Sequence, residues 1–184
     1  MPIAMGLDIE TTGLSAEKGH RIIELACTLH DFHTGKLLGK WAPRINPMRS
    51  IDAKAQAVHG ISIEELMHEP KWEVVAPKLV KLLKKVDLIV AHNGDGFDLP
   101  FIIHELDRVG LEVPDVATFD TMTGCYWATP DGKPPSLREL AHSLGYEYDE
   151  EKAHGALYDT ALMMRCFFTA RKRYPGFIIT PLDK

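Results

Sequence analysis

The chain has 184 residues, a net charge of −5 and 45% hydrophobic residues, ordinary values for a chain able to build one full core. No apolar run approaches a bilayer span, and no basic segment precedes an apolar one at the N-terminus. A membrane helix and a secretory signal are therefore not expected, and a cytoplasmic protein is. The acidic balance argues against a broad basic surface for long duplex nucleic acid, yet leaves room for an enzyme that holds a few nucleotides at one end.

Ile3 to Ile9 is short and mainly apolar, which predicts a buried strand. Asp8 and Glu10 stand at its C-terminal end, on one face by the period of two and roughly 6.8 Å apart along the strand. Thr11-Thr12-Gly13-Leu14 then breaks the strand with turn chemistry. Ile22 to Leu29 reads as a second strand, and Thr34-Gly35 turns it into a third over Lys36 to Ala42, an antiparallel meander. Asp52 to Val58 reads as a short helix. Ser62-Ile63-Glu64-Glu65 is a capping box. Trp72, Val75, Leu79, Leu82 and Leu83 recur at helical spacing, with Pro77 a point of bending.

Leu88 to Ala91 is a fully apolar strand leading into His92-Asn93-Gly94-Asp95-Gly96-Phe97-Asp98-Leu99-Pro100. Pro100 suits the first turn of a helix. Leu99, Ile102, Ile103 and Leu106 form that helix's expected buried stripe, and Gly110 its stop. Val116 to Phe119 is a fifth strand, ending in Asp120-Thr121. A Pro/Gly-rich loop over 129–135 leads to a second capping box, Ser136-Leu137-Arg138-Glu139, whose helix Gly145 closes. Ala156 to Arg173 is a long helix with Leu157, Ala161, Leu162, Met164, Phe167 and Phe168 as its expected buried residues. The order predicts an α/β fold in one domain over 1–184: a mixed five-stranded sheet flanked by helices. Cys27, Cys125 and Cys166 form no spaced metal motif and read as reduced, buried thiols.

Three acidic sites remain: Asp8 with Glu10, Asp98, and Asp159 with His154 nearby. Each alone has an ordinary explanation. An acidic pair at a strand end is often solvated, and Asp98 suits an N-cap. On one ideal helix His154 and Asp159 would point about 140° apart. His154 is therefore placed on the lead-in, loosened by Gly155, and Asp159 on the helix face towards the sheet. Together the sites say more. Asp159 sits in an apolar helix, where an unpaired charge is costly. Asp8, Glu10 and Asp98 end strands expected side by side. Four converging carboxylates repel unless cations intervene, and oxygen-only ligands favour Mg²⁺ or Mn²⁺. Two such ions suit hydrolysis of a phosphodiester, with a neutral histidine to take the water's proton.

These residues resemble the DnaQ-like 3′–5′ exonucleases of the DEDDh subgroup. The first motif reads Gly6-Leu7-Asp8-Ile9-Glu10-Thr11-Thr12-Gly13-Leu14 and the second His92-Asn93 through Phe97-Asp98. The third is His154-Gly155-Ala156-Leu157-Tyr158-Asp159. Ile22-Ile23-Glu24-Leu25 is similar to the family's second strand and Val58-His59-Gly60-Ile61 to its substrate-side loop. The resemblance implies a ribonuclease H-like three-layer sandwich. It also implies a metal set of Asp8, Glu10, Asp98 and Asp159 with two Mg²⁺ ions (Mn²⁺ able to substitute), and His154 as general base. Substrate contacts would come from Thr11, Thr12, Gly13 and Leu14, with His59 and Asn93 as further candidates.

The second motif is one residue longer than in bacterial proofreading subunits, closer to three-prime repair exonucleases, which makes Asp95 a competitor of Asp98 as ligand. The expected substrate is a 3′ end of DNA or RNA, single-stranded DNA first. A polymerase or repair protein and a second copy of the chain are candidate partners, and a membrane is not. A proofreading subunit, an RNA-trimming exoribonuclease and a silent binding module are the competing readings; without an obvious tethering tail, independent action is expected. Lys78, Lys81, Lys84 and Lys85, like Arg171-Lys172-Arg173, fit a solvated helix face better than a phosphate grip.

Overall fold

In a computed structural model residues 1–183 are described. Strand β1 (Ile3–Thr11) pairs antiparallel with β2 (Ile22–Asp31), which pairs antiparallel with β3 (Leu37–Trp41). Helices α1 (Ala53–His59), α2 (Ile63–Leu66) and α3 (Trp72–Leu83) follow. Then come β4 (Leu88–Ala91), α4 (Asp98–Asp107), β5 (Ala117–Asp120), the short α5 (Thr121–Gly124), α6 (Leu137–Ser143) and α7 (Ala156–Arg173). The sheet order is β3-β2-β1-β4-β5, with β4 parallel to both β1 and β5. This is the expected mixed five-stranded sheet.

The alternation of β1 sorts the molecule into layers. Met5, Leu7 and Ile9 face one core with Trp72 and Leu79 of α3 and Phe101 and Leu106 of α4. Ala4 faces the other, with Leu88, Val90, Leu140 of α6 and Met164 and Phe167 of α7. Asp8 and Glu10 share the second face, beyond the end of its apolar contacts.

Both capping boxes close as the sequence suggests: Ser62 with Glu65, and Ser136 with Glu139. Gly110 and Gly145 take positive φ after their helices. The three cysteines are buried and unpaired. Helix α3 runs unbroken through Pro77, which lies on its exposed side.

Two expectations about helix faces fail. Ile103 is 51% exposed, while Glu105 on the same helix is fully buried. The reason is a pairing that apolar periodicity does not show. The carboxylate of Glu105 accepts from Arg21 Nη1 at 2.7 Å and Arg108 Nε at 3.2 Å, and its carbonyl accepts from the Trp72 indole at 2.8 Å. Ala161 of α7 is exposed, and Thr160, whose hydroxyl donates to the Ala156 carbonyl at 2.6 Å, takes the buried place beside it. Among the described residues no helix is long and apolar enough to cross a membrane.

Candidate active site

Helix α7 reaches the sheet because Gly6 lets it. A Cβ on Gly6 would lie 2.5 Å from Met164 Cγ and 2.8 Å from Thr160 Cγ2. With only hydrogen there, the first turns of α7 lie close over β1, and Asp159 comes down beside Asp8 and Glu10. One ligand atom from each of Asp8, Glu10 and Asp159 lies within 4.8 Å of the others. His154 sits on the lead-in at φ 62°, and its N–H donates to Asp159 Oδ2 at 2.9 Å. The other oxygen, Asp159 Oδ1, is buried with no hydrogen-bond partner.

Asp98 joins from the neighbouring strand end. It is the first residue of α4, not its N-cap; that position is Phe97. Its Oδ1 accepts instead from the Ile9 N–H of β1 at 3.1 Å, which ties the second motif to the first. It flanks Asp8, outside the trio that converges most tightly. Asp95, the alternative ligand, is exposed, and its N–H donates to Asp120 Oδ2 at 3.2 Å.

The charges are under strain. Burial first, then the fields of Asp98, Glu10, Asp159 and Glu24, push the Asp8 carboxyl well above its ordinary range. Burial and the Asp159, Glu24 and Asp98 carboxylates push Glu10 up to about 8. Burial lifts Asp98 to about 7 and raises Asp159. Carboxylates so crowded tolerate one another by holding protons or a cation. An oxygen-only donor set with one buried, unpartnered carboxylate oxygen fits a hard divalent ion.

Two residues outside the predicted set hold the site in shape. Glu24, opposite Glu10 in the β1–β2 register, accepts the Ala156 N–H of α7 at 3.2 Å and pairs with Arg44 at 3.0 Å. It anchors the start of the helix that carries Asp159. Asp120 accepts the N–H groups of Asn93 at 3.0 Å, Asp95 at 3.2 Å and Met122 at 2.8 Å, which fixes the loop before Asp98. Partners distant in sequence, Ala156 for Glu24 and Asn93 and Asp95 for Asp120, reveal these roles.

Two cavities flank the acids. One, of about 650 Å³, is lined by Asp8, Asp159, His154, His92, Arg138 and Tyr148, among others. The other, of about 540 Å³, is lined by Glu10, Thr11, Gly13, Leu14, His59 and Phe97, with Lys18 and Lys54 among the rest of its lining. Thus Thr11, Gly13, Leu14 and His59 stand together at one opening. Leu14 is 87% exposed there, a large apolar side chain without a protein partner.

Thr12 does not join them. It is fully buried; its hydroxyl accepts the Arg21 N–H at 3.0 Å and meets His20 Nδ1 at 3.1 Å. It shapes the turn from within. Asn93 lines neither cavity; it takes the left-handed conformation (φ 64°) at which asparagine is tolerated. His92, one residue earlier, faces the larger cavity instead. Its Nδ1 lies 2.9 Å from the Thr121 hydroxyl, which donates its own proton to the Ala91 carbonyl. Arg171 is built into the fold, stacked 3.9 Å over Phe32.

A family model described as exonuclease, of the RNase T type, matches residues 5–167. DNA polymerase III subunit epsilon of Rickettsia typhi is 34% identical over 167 residues, a match covering 88% of this chain and 70% of that protein. The 3′-5′ exonuclease DinG of Bacillus subtilis is 33% identical over 144 residues, 78% of this chain but only 15% of DinG. Among solved structures, E. coli exonuclease I in complex with a dA16 oligonucleotide superposes with a TM-score of 0.83 at 18% identity. That match covers 97% of this chain and 42% of exonuclease I, and it is a likeness of fold.

Proposed function

The chain belongs to the RNase T/DnaQ-like exonuclease family, and from that premise we propose that it is a metal-dependent 3′–5′ exonuclease of the DEDDh type. A single domain would hydrolyse the terminal phosphodiester of a 3′ end, single-stranded DNA first, and release nucleoside 5′-monophosphates. The observation that carries the reading is Asp159 Oδ1, buried and unpartnered beside Asp8 and Glu10. The fit of the donor set supports Asp8, Glu10, Asp98 and Asp159 as holders of two Mg²⁺ ions, with Mn²⁺ able to substitute. When bound, such ions neutralise the phosphate, acidify a water and stabilise the departing 3′ oxygen.

The chain's own residues do the rest. Leu14, exposed at the smaller cavity, offers an apolar face to the last base, and the Thr11–Gly13 turn meets the terminal sugar. Gly13 permits that turn, since a Cβ would run into the His20 ring. His154 takes the proton of the attacking water. Its backbone bond to Asp159 fixes the ring's carrier to the residue nearest the reaction. His59 stands at the sugar side, where the Ile61 N–H donates to its Nδ1 at 3.0 Å.

A second reading, a proofreading subunit working within a polymerase assembly, is favoured by the likeness to polymerase III subunit epsilon. One experiment addresses both. DNA and RNA strands labelled at the 5′ end are incubated with the protein, with Mg²⁺ or with excess chelator. The expected result is a ladder shortening from the 3′ end, with Mg²⁺ only, and faster on DNA. Internal cuts, or equal digestion in chelator, would refute the reading. Digestion by the isolated protein at a rate unchanged by added polymerase would count against the subunit.

A further inference from the structure

A third cavity, of about 380 Å³, lies behind the Gly19–Arg21 loop and has no part in the reaction proposed above. Its lining includes three guanidinium groups, Arg21, Arg49 and Arg108, and two carboxylates, Glu73 and Glu105. Arg108 is consumed by the acids: it bonds Glu105 through Nε (3.2 Å) and Nη2 (3.3 Å), and Glu73 through Nη1 (3.1 Å). Arg21 spends one nitrogen, Nη1, on Glu105 at 2.7 Å. Arg49 meets no carboxylate among the described residues. It is held in place by backbone carbonyls alone, Nη1 on Gly19 and Nε on Ser50. Nε and Nη2 of Arg21 and Nη2 of Arg49 are left as donors without a protein acceptor among the described residues.

The rim is braced. Met48 has φ 54°, a left-handed conformation costly for a residue with a Cβ. Asn46 holds it there: its Oδ1 accepts the Met48 N–H at 3.0 Å, while its Nδ2 donates to the Met67 carbonyl at 3.0 Å. A concave wall with one guanidinium in excess, unspent planar donors and a preset rim suits a tetrahedral oxyanion, which arginine forks match in charge and geometry.

We propose that this cavity is a second, non-catalytic site for a phosphate group, donated to by Arg49 and Arg21. The source is either a free phosphomonoester, such as a mononucleotide, or the backbone of a bound strand. The assignment stands apart from the hydrolytic reading. It does have a route to that site, because the loop serves both cavities. Gly19 and Arg21 line this one, and Lys18 and His20 line the one beside Glu10. Likewise Arg49 and Ser50 face here, while Asp52, 3.5 Å from His20, faces there.

The test is binding measured by amide chemical shifts and calorimetry in excess chelator, where the acid cluster repels anions. The probes are inorganic phosphate, a nucleoside 5′-monophosphate and an oligonucleotide blocked at its 3′ end. The proteins are wild type, Arg49→Ala and Arg49→Lys. Wild type should bind phosphate with shifts centred on Gly19, Met48 and Arg49. Arg49→Ala should bind about tenfold more weakly, the worth of one charge-assisted bond, and Arg49→Lys should recover part of the loss. Equal affinity for monophosphate and strand identifies the free monoester; tightening with strand length and steep salt dependence identify the backbone. Absence of phosphate binding to wild type, shifts centred on residues 8–14, or unchanged affinity in Arg49→Ala would overturn the proposal.

Discussion

Asp159 is half-buried, crowded by two carboxylates and has one oxygen unpartnered. Its replacement should therefore move activity and stability in opposite directions. Asp159→Asn, and likewise Asp8→Asn, should reduce cleavage to background while the far-ultraviolet dichroism stays unchanged. In chelator the same variants should melt above wild type, because a like-charge contact is removed; a lower melting point would contradict the crowding. His154→Ala should slow turnover about 10²–10⁴-fold, the usual worth of a general base, with little change in KM. The five residues proposed for the reaction stand out in the sequence only together, as acids and a histidine at the ends of apolar elements that fold to one sheet edge. Glu24 and Asp120 do not stand out. What they do at the site is accept backbone N–H groups from distant stretches, Ala156 for Glu24 and Asn93 for Asp120, which no local pattern shows.

At the scale of elements the decisive contact is between α7 and β1. Gly6→Val would put a methyl-bearing carbon where Met164 and Thr28 already stand. The helix must lift, and Asp159 with it. Such overpacking should cost about 1–3 kcal/mol in chemical denaturation and lower kcat by more than that loss of folded protein explains. A variant as active as wild type would mean that α7 need not lie close. Strands and capping boxes could be read from the sequence because their signals are local: a period of two, or a serine three residues before a glutamate. The face of α4 could not. Glu105 is buried because Arg21 and Arg108 wait for it, one of them 84 residues away, and Ile103 is turned outwards in consequence. The Thr12 side chain is spent inside the paired turn and Asn93 takes a left-handed backbone, features that no local signal in the sequence shows.

The whole molecule behaves as a sheet that collects charge at one end. In the metal-free protein Glu10 titrates near 8 and Asp98 near 7, with Asp8 and Asp159 also raised, whereas unfolded carboxylates titrate near 4. The folded state thus binds more protons than the unfolded one across that interval. Stability from these groups is fully present below the unfolded values and is lost as pH rises through the folded ones. His30, His59 and His92, held below the ordinary histidine value by burial, work the other way, but only up to about pH 6.5. From about pH 7 to about 8.5 the melting temperature in chelator should therefore fall, and Mg²⁺ should abolish the fall.

That four acids from three separate stretches form one cation site is tested most directly by calorimetric titration of Mn²⁺ into metal-free protein near neutral pH, in buffers of different ionisation enthalpy. Wild type should bind with release of protons from the crowded carboxyls, and Asp8→Asn should lose most of that binding. Equal binding by the two proteins, or uptake of the metal with no proton released, would contradict it.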